Sequence, residues 1–153
     1  MNSSGIARST HFAGLDAVRA RVAALARASV EVGVPAGPKY PDGTSVAQVF
    51  AYVEFGTETI PERPALRTGL KRALPGAKAL NRSNLKAVID GRMAAGIALG
   101  QLGEYAVGEV RRAMIEGPWE PNAPSTIRKK KSDRPWIDSG QAIQSVTSRV
   151  VMG

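Results

Sequence analysis

The sequence predicts an α/β (α+β) fold in which helices pack on a small antiparallel sheet, with one long Gly/Ala-rich helix. Three observations predict it. Apolar residues recur at spacings of three and four over several stretches, as amphipathic helices require. Two short Val-rich runs, one near each end of the chain, alternate in the manner of strands. Apolar residues make up 43% of the chain but aromatics only 5%, so the core must be built mainly from Ala, Val, Leu and Ile. At 153 residues the chain fits one domain.

Residues 1–12 are polar and carry Gly5, Ser3, Ser4 and Ser9, a composition that predicts a flexible arm ahead of a single domain over 13–153. From Ala13 the positions Leu15, Val18, Val22 and Leu25 form one apolar stripe, and Asp16, Arg19, Arg21 and Arg27 fall mostly elsewhere, giving a helix over 13–28. Val30 to Val34 alternates as a strand before the Pro/Gly-rich loop AGPKYPDGT. Ser45 is placed to cap a short helix through Val46, Val49, Phe50 and Val53, and Gly56 to stop it. Pro61 and Pro64 then impose an extended lead-in to a helix starting near Pro64, which Pro75 and Gly76 are expected to break.

Asn81 or Ser83 is the expected cap of a second long helix, running from Leu85 to Gly117 over about 34 residues or ~50 Å. A compact domain of this size has a radius of gyration of about 15 Å, so such a helix must kink or project. Gly96, Gly100 and Gly103 within it predict close helix packing, because no strand precedes them as a phosphate-binding loop would need. Residues 118–141 are dense in Pro and charge and predict a basic loop. Arg128, Lys129, Lys130, Lys131 and Arg134 against Asp133 place +4 in seven residues there. Asp138 or Ser139 is the expected cap of a short turn, with Pro135, Asp138 and Gly140 fixing its shape. SVTSRVVM then reads as a strand able to pair with Val30–Val34.

The chemistry of the chain points away from catalysis. Cysteine is absent and His11 is the one histidine, which removes disulfides, thiolate nucleophiles and the usual zinc sets. Glu54, Glu58 and Glu62 flank turns without a matching base, so no catalytic, cofactor-binding or metal residue is assigned and no cofactor is expected. Glu54 reads as a surface or interface carboxylate paired with an arginine. A net charge of +8 favours polyanions or acidic protein surfaces. Trp119 and Trp136 bracket the basic loop, and exposed Trp beside Arg is the composition of a protein interface hot spot, preferred here over a base-stacking platform. The N-terminus lacks the apolar stretch of a secretory signal, and no run of eighteen apolar residues occurs, so no membrane contact is expected.

Two stretches together resemble one family. VFAYVEFGTETIPERPALRTGL, Val49 to Leu70, is similar to the segment of tailed-bacteriophage neck and tail-completion proteins in which a helix ends in E-F-G-T and is followed by I-P-x-R-P-x-L-R-x-x-L. EGPWEPNAPSTIRKKKSDRPWIDSGQAIQSV, Glu116 to Val146, resembles the closing segment of that family, which includes the Z-like minor tail proteins. The chain departs from the pattern at Trp136, where leucine is common, at Ser139 for threonine, and at Ala142 or Ile143.

The resemblance implies a non-enzymatic virion protein, made in the host cytoplasm. It would form a ring, hexameric by expectation, at the head-tail junction or upper end of the tail. The implied partners are further copies of itself, portal-side head-completion or connector proteins, and a tail terminator or the tail tube and tape-measure protein. Genomic DNA would pass through the lumen without sequence-specific contact. A tail terminator is the alternative within the virion, and a basic nucleic-acid-binding accessory protein the alternative outside it. Candidate interface residues are Glu54, Phe55, Gly56, Thr57, Arg63, Pro64, Arg67, Trp119, Arg128, Lys129, Lys130, Lys131 and Trp136. Among them Arg63 and Arg67 are expected to pair with acidic groups.

Overall fold

The computed structural model describes residues 4–137 and 140–153, with side chains from residue 14 onward. In chain order the elements are α1 (Ser4–Ala26), β1 (Ser29–Gly33), α2 (Val46–Phe55), α3 (Ala65–Ile89), α4 (Ala95–Glu116), α5 (Pro124–Lys130), α6 (Gln141–Ser145) and β2 (Thr147–Val151). The fold is α+β, as the patterning predicts. The strands pair antiparallel, with Ser29 opposite Val151 and Gly33 opposite Thr147.

Helices α3 and α4 form an antiparallel hairpin that is the frame of the molecule. Small residues let the two backbones approach. A Cβ at Gly69 would lie 2.4 Å from Val110 Cα, and one at Gly76 would strike the Tyr105 ring. Buried Asn84 donates to the Ala98 carbonyl at 3.2 Å and to the Gln101 side chain at 3.0 Å, which ties the far end of the hairpin. The sheet lies on α4 beside Gly103, where a Cβ would meet Ser148 and Val30. Phe50, Ala65, Val107, Val110, Met114, Trp136 and Val146 form the core between α2, the hairpin and the C-terminal segment.

The long-helix boundaries differ from those the sequence predicts. Pro75 does not break α3, which passes through Pro75 and Gly76 to Ile89. The missing hydrogen bond at Pro75 is offset by the packing of the flanking turns on α4. The actual break falls at Asp90–Ala94, so the single helix expected over 85–117 is divided between α3 and α4. There Gly91 adopts φ 75°, its N–H bonds to the Val88 carbonyl, and the Arg92 N–H bonds to the Ala87 carbonyl. This is a Schellman stop built on a left-handed glycine.

The other corrections concern the arm, the loops and the glycines. Residues 4–12, expected as a coil arm, continue α1 toward the N-terminus. With no proline before Ala13, extension of an existing helix needs only one further hydrogen bond per residue. Of the α4 glycines only Gly103 is packed closely, since a Cβ at Gly96 or Gly100 meets nothing within 4 Å. The basic stretch is not wholly loop: Pro124 occupies the first turn of α5, and Lys131 closes that helix in a left-handed conformation at φ 54°. Asp138 and Ser139, the expected cap, lie outside the described residues, while Gly140 takes φ 73°.

Candidate functional site

The two stretches singled out by sequence, 49–70 and 116–146, fold against one another. Ser45 starts α2, its hydroxyl accepting from the Gln48 N–H at 3.4 Å. Gly56 ends the helix at φ 74°, where a Cβ would come within 3.1 Å of the Ile60 carbonyl oxygen and of the Glu62 nitrogen. The loop beyond is pinned on Thr57, whose hydroxyl accepts from the Ile60 N–H at 3.0 Å and whose own N–H donates to the Ile60 carbonyl at 2.8 Å. The Arg63 N–H returns to the Val53 carbonyl at 2.8 Å and closes the loop onto α2.

Glu54 is 1% exposed and sits at the start of α3, which has no side-chain cap of its own because Pro64 stands in the cap position. The carboxylate accepts from the backbone N–H groups of Leu66 at 2.9 Å and Arg67 at 3.0 Å. An anion at a helix N-terminus meets unsatisfied donors and the positive end of the dipole. The Arg67 guanidinium reaches the same carboxylate at 3.3 Å, bonds to Glu62, and lies 5.2 Å over the Phe55 ring. Its bond to Glu62 is the largest cause holding Arg67 above its ordinary pKa. Glu54 is paired with an arginine as expected, but as a buried cap and not as a surface carboxylate.

Arg63 is 4% exposed and donates to the carbonyls of Glu120 at 2.7 Å and Pro121 at 2.8 Å. Its partners are therefore backbone oxygens of the closing segment, not the acidic side chains predicted. The planar fork of the guanidinium suits two adjacent carbonyls. Burial lowers its pKa and the Glu120 charge works in the opposite direction.

Trp136 is 3% exposed and belongs to the core, which overturns its reading as an exposed interface residue. Its ring meets Phe50 at 4.7 Å and 46°. The indole N–H is buried without an acceptor among the described residues. Trp119 is half-buried: it covers Gly117 and donates to the Ala113 carbonyl at 2.9 Å. Seated on Phe50, the Trp136 ring gives a core otherwise built mainly of small aliphatic residues its largest apolar area, and that burial outweighs the charge of the flanking sequence. Arg128, Lys129, Lys130 and Lys131 are exposed on α5 and its C-terminal end.

Two organising residues carry no sequence signal. The Asn122 side chain donates to the carbonyls of Ser132 at 3.2 Å and Arg134 at 3.1 Å, clasping the α5 segment into a closed loop. Arg111 donates to Ile143 at 3.1 Å and Val146 at 2.8 Å, satisfying carbonyls at the end of α6. An isolated Asn or Arg in sequence does not reveal that the chain returns beside it.

Between α2, the Thr59–Pro61 loop, α5, the Pro135–Trp136 pair and the Gly140–Ala142 turn lies a cavity of about 260 Å³. Val49, Val53, Ile60, Pro61, Trp136 and Ala142 give it an apolar wall, and Lys130 stands among its polar residues. Among the described residues no group of three or more His, Asp or Glu side chains is placed to hold a metal ion. No helix there is long and apolar enough to cross a membrane. Compared with known proteins, the chain matches no family model, no curated protein and no solved structure.

Proposed function

We propose that the chain is a structural subunit of a tailed-bacteriophage virion, forming an oligomeric ring at the head-tail junction or the upper end of the tail. The observation that supports it best is the junction of the two family-like stretches. Arg63 of the first clasps the Glu120 and Pro121 carbonyls of the second, and Phe50 of the first stacks near Trp136 of the second. Residues far apart in sequence thus act as one unit, which gives their joint resemblance a physical basis. Large apolar side chains exposed on several elements, among them Phe55, Leu74, Ile97 and Ile115, are in keeping with a subunit that meets neighbours on more than one side.

Charge bears on which way the basic strip points. A ring about 30 Å tall encloses roughly 18 phosphate charges at one per ~1.7 Å of duplex. Six copies each turning a +8 surface inward would grip that DNA instead of letting it pass. The exposed Arg128–Lys131 strip is therefore assigned to neighbouring proteins or the outside. The same strip is the observation favouring the second reading, a nucleic-acid-binding accessory protein.

Light scattering after size exclusion, with a DNA gel shift at physiological salt, separates the two. A ring without a shift is expected; a monomer that shifts DNA supports the accessory reading instead. Replacing Lys129, Lys130 and Lys131 with Ser is expected to impair head-tail joining more than DNA retention, and normal joining by that variant refutes the assignment.

A further inference from the structure

Among the described residues the most exposed large apolar side chain is Phe55, at 66%. It is held in place: Arg67 stacks on its ring while bonding to Glu54 and Glu62, so the ring has little freedom to lose on contact. The cavity described above opens to solvent and has an apolar wall on its α2 side, with polar groups on the α5 side. Val53 lines it, and Phe55, two positions on, projects about 200° round the helix. A chain cannot fill its own cavity with its own Phe55.

We propose that copies of this chain join head to tail, with Phe55 of one copy seated in the cavity between α2, α5 and α6 of the next. A pocket of about 150 Å³ holds benzene, so about 260 Å³ accepts a benzyl side chain with some of its flanking backbone. Charge complements the fit. Beside Phe55 the exposed carboxylates are Glu58 and Glu62, against the one guanidinium of Arg67, a balance of −1, whereas Lys130 lines the cavity within a strip, Arg128 to Arg134, that carries +4. A knob and a hole on different faces make a heterologous contact, which closes into a ring when the rotation between copies permits. This rests on the ring reading above and names its subunit interface.

Two variants test it. Phe55→Ser removes the exposed ring and leaves the core untouched. Ala142→Phe fills the cavity from its α6 wall. Wild-type protein is expected to assemble as concentration rises, and each variant to associate at least about 30-fold more weakly, the loss typical of a central anchor. An equimolar mixture retains one intact knob and one intact hole, so it is expected to stop at a 1:1 dimer. Phe55→Leu keeps an apolar knob and is expected to restore larger assemblies, which covers the case in which Ala142→Phe does not fold. Assembly of Phe55→Ser at wild-type concentration overturns this interface and leaves the ring reading standing. Wild-type protein that stays monomeric at every concentration overturns both.

Discussion

Glu54 and Arg67 meet through three hydrogen bonds that join the end of one helix to the start of the next. The carboxylate accepts from the Arg67 N–H at 3.0 Å and from its guanidinium at 3.3 Å, and the Glu54 main-chain carbonyl accepts from the guanidinium at 2.9 Å. The three bonds fix the end of α2 to the first turn of α3, on a helix whose Phe50 is buried and whose Phe55 is exposed.

Removing the carboxylate is expected to be costly because the cap is buried. Glu54→Ala should lose about 2–4 kcal/mol in urea unfolding, and Glu54→Gln, which keeps one acceptor, about half as much. Most of the loss belongs to the N–H bonds, since Arg67 is half-exposed and its ion pairs are screened. Equal stability of both variants and the wild type would remove Glu54 as the cap of α3.

Glycines on α3 and α4 should respond in opposite directions to alanine. A Cβ at Gly69 meets the Val110 backbone, which cannot yield without parting the hairpin, so Gly69→Ala is expected to cost about 3 kcal/mol. At Gly100 nothing lies within 4 Å, and Gly100→Ala should stabilise the isolated subunit by about 1 kcal/mol through helix propensity alone. Thermal unfolding of the two variants side by side checks the contrast.

Trp136 carries a large apolar area and a buried donor without an acceptor among the described residues, and the two can be separated. Trp136→Ala empties the core and should cost about 3–5 kcal/mol. Trp136→Phe retains contact with Phe50 and removes the buried N–H, so its cost should stay within about 1.5 kcal/mol. A Phe variant as unstable as the Ala variant would mean that the indole N–H has an acceptor.

The α3–α4 turn should be acid-sensitive. Hydrogen bonds from Arg92 first, and from Lys86, hold the Asp90 carboxyl below its ordinary value. A carboxyl with a depressed folded pKa contributes stability above its unfolded value of about 3.9 and loses it as pH falls through the folded one. Asp90→Asn should therefore show a flatter decline in stability below about pH 4, and wild-type and variant curves that run parallel there would exclude the pairing.

How far the sequence could be read depended on the range of the interaction concerned. The cap at Ser45, the stop at Gly56, the helix start beside Pro64 and the pairing of the Val30–Val34 run with the C-terminal strand, which the structure realises over Ser29–Gly33, were legible, because each rests on the conformational preference of a few adjacent residues or on simple alternation. Asp90-Gly91 carried an equally local stop signal, which the stronger-looking Pro75-Gly76 pair obscured. Pro75 shows why: the loss of one backbone bond is a local term, and a helix that packs along its whole length on a partner can absorb it.

By itself, then, the amino-acid order determined the class of fold, the helix limits at Ser45, Gly56, Pro64 and Gly117, the absence of Cys chemistry and the basic character of the 128–134 strip, while the cap expected at Asn81 or Ser83 falls inside α3. Only the tertiary structure decided that Trp136 is core, that Glu54 caps a helix, that Arg63 clasps backbone carbonyls, and that Phe55 stands outside a cavity it cannot reach. Burial and hydrogen-bond partners belong to the segment that arrives from elsewhere in the chain, and no window of neighbouring residues contains that segment.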